Sequence, residues 1–201
     1  MPSDSAAPRS GRSGTYAKGV ARRQEILDRA IEVFAERGAN GTSLRAIAEA
    51  IGVSHAALLH YFASREQLLV EVFRAAEAKL GEDDPKQRQG SPVAGMTHAA
   101  RRNRGVPGLV QLYSTLVASA LEEGHDDAQQ HFGARFARLR TELTEQVAVE
   151  QEAGRIRTDI EPAAVAALII GASDGLQIQW LLEPSVNMEA SLELLDTLLS
   201  S

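Results

Sequence analysis

The chain reads as all-α, and three observations carry that reading. Apolar residues recur at spacings of three and four rather than two. Alanine, leucine and glutamate are plentiful, while β-branched runs with period two are missing. Glycine, proline, serine and asparagine fall between the periodic stretches, where helices start and stop. At 201 residues the chain is long enough for one or two domains with a sizeable core.

The first helix is expected from about Ala17 to Arg37, with Ile26, Leu27, Ala30, Ile31, Val33 and Phe34 on its buried face and Gly38 ending it. Two short helices follow. Leu44, Ile47, Ala48 and Ile51 form the stripe of one, which Thr42 or Ser43 caps by accepting an orphan backbone N–H. Gly52 stands where a left-handed residue closes that helix, Val53 plugs the corner, and Ser54 caps the next. In the second, only Leu58 and Phe62 are clear inward anchors, so His55, Ala56, Ala57 and His60 face outward. Two capped helices around Gly-Val-Ser form a helix-turn-helix, and that small, uncharged outer face suits a major groove.

Ser64 caps a fourth helix with Leu68, Leu69, Val72 and Phe73 inward, running to about Leu80. From 81 to 105 the pattern is weak, and Pro92 to about Asn103 is either a short helix or a mobile linker. Pro107 opens the next helix, carrying Leu109, Val110, Leu112, Tyr113, Leu116 and Val117 and stopping near Gly124. Asp126 or Asp127 starts a long helix to about Ala153, with Phe132, Phe136, Leu139, Leu143 and Val147 on one side. From Pro162 the run Ala163 to Ala172 is apolar all round and must be covered on every side. Asn187 to Leu199 gives a last amphipathic helix. These two helices are expected to form a two-fold interface through Leu168, Gly171, Leu192, Leu195 and Leu199. The alternative is an internal core helix.

The formal net charge of −6 is unevenly divided. Residues 1–65 hold nine Lys/Arg against six Asp/Glu, and residues 66–201 hold twelve against twenty-one. The basic excess falls on the helix-turn-helix part, as a nucleic-acid footprint requires. Arg9, Arg12, Lys18, Arg22 and Arg23 form a basic lead-in that follows phosphates or stays a solvated tail. No apolar run is read as approaching the ~20 residues that cross a bilayer, and no secretory signal is seen at the N-terminus. Without cysteine there is no disulfide framework or thiolate metal site. Cytoplasmic residence is therefore expected.

The string Ile47-Ala48-Glu49-Ala50-Ile51-Gly52-Val53-Ser54, with Leu58 and Tyr61-Phe62 behind it, resembles the TetR family of bacterial regulators over about Arg22 to Leu69. Pro107-Gly108-Leu109, Gly154-Arg155-Ile156 and Asp174 to Trp180 carry a weaker similarity to a common sensor subtype. The resemblance implies a three-helix DNA-binding head (16–63, after a disordered basic arm at 1–15), a helical ligand-sensing and dimerisation domain (64–201), and a homodimer. It implies that Arg45 reaches a base edge or phosphate, that Arg65 and Tyr61 hold the backbone, and that Thr42 and Ser43 meet it at a helix start. Ser54, His55, Ala56, Ala57 and His60 complete the DNA face. Ala56 and Ala57 stand where glycine and a small hydroxyl residue are common, and Leu59 where a phosphate-contacting tyrosine is frequent. The departure at Leu59 puts one backbone contact in question and leaves the fold expectation unchanged.

For the sensor, Tyr113, Phe132 and Phe136 are expected to converge with Met96, Gln177 and Asp174 on a mostly apolar pocket, each being otherwise plain core. Asp174, inside an apolar helix, needs a partner, either across a dimer or on a ligand. His98, His125 and His131 lack metal-ligand spacing, and no acid/base pair or phosphate loop supports catalysis, so neither metal nor cofactor is expected. The expected function is a repressor released from a palindromic double-stranded operator by an unidentified small-molecule inducer. The rivals are an activator or ligand-independent regulator, a sequence-neutral architectural binder, and a helical enzyme or carrier with an accessory DNA head.

Overall fold

A computed structural model describes residues 11–37, 43–82 and 90–201, with side chains for 17–35, 43–79 and 90–201. Thr42 and Arg9 lie outside the described residues, and of Arg12 only the backbone is described. The described residues form α1 (Gly11–Arg37), α2 (Leu44–Ala50), α3 (His55–Tyr61), α4 (Arg65–Glu82), α5 (Pro92–Asn103), α6 (Pro107–Ser119), α7 (Asp126–Glu152), α8 (Pro162–Leu182) and α9 (Met188–Leu199). The all-α expectation holds, and the only β feature among them is one isolated bridge, Ile156 to Ser200.

The local signals work as the sequence implies. Ser43 Oγ accepts from Ala46 N–H at 3.2 Å and Ser54 Oγ from Ala57 N–H at 3.0 Å, so each short helix has one orphan donor satisfied. Gly52 sits at φ +70° between them, a left-handed conformation that glycine adopts without steric cost. Arg29 of α1 donates to Ile51 O at 3.1 Å, which seals the C-terminus of α2 from outside. Ser64 caps α4 through Gln67 N–H at 2.9 Å, while the Gln67 side chain returns to Ala63 N–H at 2.7 Å.

Two boundaries differ from expectation, and one open alternative is decided in favour of the helix. α1 begins at Gly11, so the segment expected to be a disordered arm to residue 15 is helical from there. The weak stretch before residue 105 contains a true helix, α5, because Ser91 caps it at Ala94 N–H and Pro92 pre-sets its first turn. α6 stops at Ser119, and the chain turns through Gly124 (φ +85°) before α7.

Two cores organise the molecule. Ile26, Leu27, Ala30 and Phe34 of α1 pack with Ile47, Leu58 and Phe62 of the helix-turn-helix, with Leu68, Leu69 and Val72 of α4, and with Leu112, Leu116 and Phe132 beyond. The expected boundary at 63/64 thus falls where the head packs directly against the following helices in one continuous core. The second core holds Val93, Leu143, Val147, Ile156, Val165, Ile169, Met188, Leu192 and Leu199. Phe136 packs against both.

That second core corrects part of the interface expectation. Leu192 and Leu199 are buried within their own subunit and leave little surface for a second copy, and Leu195 packs partly against that core. The reason is physical: an amphipathic stripe is satisfied first by the nearest apolar face, here α5 and α8. Leu168 and Gly171 are exposed in the subunit. With Gly175, Ile178 and Leu182 they recur every three or four residues along one side of α8, and Leu194 and Leu198 stand exposed on α9.

The expectation of no bilayer-length segment is also corrected. α8, at 21 residues, is long and apolar enough to cross a membrane by length and composition, alone among the described residues. Its polar residues argue for a bundle helix: Asp174 bonds Tyr113 and Gln177 bonds Asn103, both across helix contacts.

Candidate nucleic-acid interface and sensor cluster

The helix-turn-helix presents its polar side chains outward because Ile47, Ala48, Ile51 and Leu58 take the inward positions. Arg45, His55, Ala56 and His60 are exposed, with Ala57 and Tyr61 half-buried. Tyr61 leans on the first core while its ring meets His60 edge-on at 5.0 Å. Ser43 and Ser54 spend their hydroxyls on the helix caps but remain exposed at the two N-termini. Arg65, half-buried, opens α4 directly behind the recognition helix. Arg45, Ala48, Glu49, Val53 and His55 line an open hollow of about 550 Å³ between α2 and α3.

The basic lead-in is less free than the sequence implied. Arg22 pairs with Glu25, Arg29 pairs with the same carboxylate at 3.0 Å, and Arg23 reaches Glu71 of α4 at 3.1 Å while stacking over Phe62. The two pairs on Glu25 lie within α1, and the Arg23–Glu71 pair ties α1 to α4. Exposed pairs of this kind are worth ~0–1 kcal/mol each, so their role is more in orientation than in stability.

Of the six expected ligand residues, the structure brings three together. Tyr113 of α6 donates to Asp174 Oδ1 of α8 at 2.9 Å, and its ring meets Phe132 of α7 at 5.7 Å. Gln177 instead accepts from Asn103 of α5 at 2.7 Å, Met96 packs on the second core, and Phe136 lies between the cores. A second hollow of about 410 Å³ is bordered by Ser91, Glu150, Arg155 and Asp196, and none of the six residues lines either hollow.

Four residues of the cluster were not singled out for the pocket. Phe73 of α4 stacks on both Tyr113 and Phe132, His131 meets Phe73 and Phe132 edge-on, and Arg135 lies over the Phe73 and Tyr113 rings. Arg135 also bonds Glu77 of α4 at 2.7 Å. Eleven residues earlier in α4, Glu66 accepts from Ala128 N–H at 3.2 Å and lies 3.3 Å from His125. The start of α7 is thus capped by a carboxylate of α4 rather than by Asp126 or Asp127. No sequence signal marks the two hydrogen-bonded pairings between α4 and α7, because each joins positions some sixty residues apart.

Electrostatics single out Asp174. Burial pushes its carboxyl above the usual range, opposed by the Tyr113 hydrogen bond and by Arg135. The Tyr113 phenol is pushed up too, by burial first and by the Asp174 charge second, so it keeps its proton and donates. Burial lowers His131. A carboxyl raised in the folded state contributes stability while protonated, and loses it as pH rises through its folded value. Asp174→Asn, which keeps an acceptor for Tyr113, is therefore expected to raise the thermal midpoint at pH 7 by a few degrees. About 1 kcal/mol moves a chain of this size by ~2–4 °C. The gap should close toward pH 4, and thermal melts across that range that show no gap at pH 7 sink the assignment.

Comparison with known proteins agrees with this architecture. Residues 26–72 match the model for bacterial regulatory proteins of the tetR family, and residues 107–201 match that for the C-terminal part of BetI-type transcriptional repressors. The HTH-type transcriptional repressor Rv1474c of Mycobacterium tuberculosis is 26% identical over 158 residues, covering 78% of this chain and 81% of its own. The repressor KstR2 of Rhodococcus jostii is 43% identical over 65 residues, 32% of this chain and 28% of its own. A transcriptional regulator from Rhodococcus sp. Rha1 superposes with TM-score 0.71 at 20% identity, covering 88% of this chain and 95% of its own. One from Saccharomonospora viridis, solved in complex with choline, gives 0.69 at 19% identity, covering 89% and 95%. At these identities the solved structures speak for the fold.

Proposed function

The chain belongs to the TetR family of bacterial regulatory proteins, and on that premise we propose that it is a homodimeric repressor released from a palindrome-like operator by a small molecule. The observation that carries this reading is the helix-turn-helix surface: two capped helices whose outward polar side chains, Arg45, His55 and His60, stand exposed. Ser43, Ser54, Ala56, Ala57, Tyr61 and Arg65 frame them. Thr42, outside the described residues, belongs to the assignment from the sequence alone. In this reading residues 16–63 read DNA and residues 64–201 sense and dimerise, through the exposed α8 and α9 faces, in the cytoplasm where the operator is. The protein is a binder of DNA and ligand rather than a catalyst, in keeping with relatives that are transcriptional regulators.

Coupling follows from the contacts of α4. Its Glu66 and Glu77 hold α7 at two points, and its Phe73 stacks on Tyr113 of α6. A ligand that inserts among Tyr113, Phe132 and Asp174 displaces Phe73 or Arg135 and so shifts α4, and α4 shares its core with the recognition helix. Binding free energies of this kind are reciprocal, typically ~1–3 kcal/mol. Asp174 supports the reading because a carboxyl held against its own desolvation costs stability unless something uses it.

Arg45→Ala tests the DNA assignment. Site selection from random duplexes at near-physiological salt should enrich one two-fold symmetric sequence with the natural protein. The variant should lose discrimination at one base pair per half-site by ~5- to 150-fold, the equivalent of a bidentate contact to guanine. Equal weakening on every DNA instead makes Arg45 a phosphate contact, and failure to enrich any site with the natural protein sinks the repressor reading.

A further inference from the structure

Glu49 is the one acidic residue between positions 38 and 64. It is exposed, and it lines the same hollow as Arg45 and His55. Among the described residues its carboxylate makes no ion pair or hydrogen bond, and neither does the Arg45 guanidinium one turn before it. In α1, Glu25 pairs with Arg22 and Arg29 and Asp28 with Lys79 and Gln24, while Glu32 is exposed and makes no ion pair among the described residues; Glu49 differs from Glu32 in lining the hollow beside Arg45 and His55. An unpaired carboxylate at the centre of a phosphate-facing surface weakens attraction to any duplex, so its place there calls for a specific bond that offsets the repulsion.

We propose that Glu49 reads a cytosine in the major groove, accepting from its exocyclic N4 amine, beside the guanine bonded by Arg45; the proposal rests on the DNA-reading assignment above. The chemistry is complementary. Arg45 carries only donors and suits the O6 and N7 acceptors of guanine, whereas a carboxylate carries only acceptors and suits the amine that cytosine presents. The spacing fits as well. Residues four apart on a helix are offset by ~6 Å along its axis, which is between one and two base-pair steps of ~3.4 Å, so the two side chains reach base pairs one or two steps apart. Glu49 thus acts as a filter. It costs affinity on every sequence and returns it only where an amine is presented, which raises the ratio of specific to non-specific binding.

The test is site selection with the full chain, followed by anisotropy titrations on the selected duplex and its single-base variants. Glu49→Ala should lose preference for cytosine at one position per half-site by ~5- to 150-fold, the equivalent of one base contact, with other positions unchanged. Glu49→Gln should turn that preference toward adenine, whose N6 and N7 match a carboxamide. Because Glu49 is exposed and bonds only through its backbone, both variants keep the helix. Unchanged preference at every position overturns the proposal. So does a uniform gain on all DNAs with steeper salt dependence, which reports charge repulsion alone. If the natural protein itself selects no symmetric site, the DNA-reading assignment falls and this proposal falls with it.

Discussion

Leu168→Asp is expected to convert the protein to a monomer and to remove high-affinity operator binding while leaving its helices intact. Leu168 is 63% exposed in the subunit, and Ile178, Leu182, Leu194 and Leu198 are 50% exposed or more. Soluble monomers rarely expose apolar patches beyond a few hundred Å², and burying one such side chain is worth ~1.5–3 kcal/mol. Gly171 and Gly175 add no side chain between these residues, and a Cβ at either would meet nothing within 4 Å, so the side of α8 they mark is open to close approach. In a two-fold interface every residue counts twice. The substitution removes two leucines and brings two carboxylates into a low-dielectric contact, a change of several kcal/mol or more than a hundredfold in dimer affinity. Operator affinity falls with it, because one half-site then binds without the effective concentration that its tethered partner supplies. Sedimentation velocity at micromolar protein and fluorescence anisotropy on the selected operator check both effects. A variant that remains dimeric shows that the α8–α9 face is not the interface. Leu192→Asp separates the two leucine sets: it places a charge in the subunit's own core and should unfold the chain rather than split a dimer.

How much of this was legible in the sequence depended on the range over which each signal acts. The helix-turn-helix was readable because Ser43, Gly52 and Ser54 each do their work within four residues, and Leu58 and Phe62 leave only one inward side to the recognition helix. Its outward residues followed by subtraction. In α9 the same logic failed. Leucines at 192, 194, 195, 198 and 199 support two stripes, and only the packing of α5 and α8 decides that 192 and 199 go in while 194 and 198 stay out. The ligand cluster was half legible. Tyr113, Phe132 and Asp174 were conspicuous as residues, but Phe73, Glu77, His131 and Arg135 became neighbours only through helix crossings that no local pattern encodes. The capping of α7 by Glu66, a residue of another helix, is of the same kind.

Phe132→Ala is expected to lower the thermal midpoint by on the order of 10 °C. A buried phenylalanine truncated to alanine costs ~3–5 kcal/mol, and each kcal/mol is worth ~2–4 °C in a chain this long. Phe132 qualifies for that range: it is almost wholly buried and meets the rings of Phe73 at 5.5 Å, Tyr113 at 5.7 Å and His131 at 4.8 Å. The same truncation opens a void beside Tyr113 and under Arg135, where α4, α6 and α7 meet. The loss should therefore fall on the joint between sensor and head as well as on global stability. Phe132→Leu refills much of that volume and should restore most of the midpoint. Denaturant titration and calorimetry decide the matter. A loss below about 1 kcal/mol for the alanine variant means that Phe132 faces a cavity already present, making it a wall of the ligand site rather than part of the core. A loss in the full range means that Phe132 is part of the core, so that on the proposed reading a ligand entering beside Tyr113 has to displace this ring.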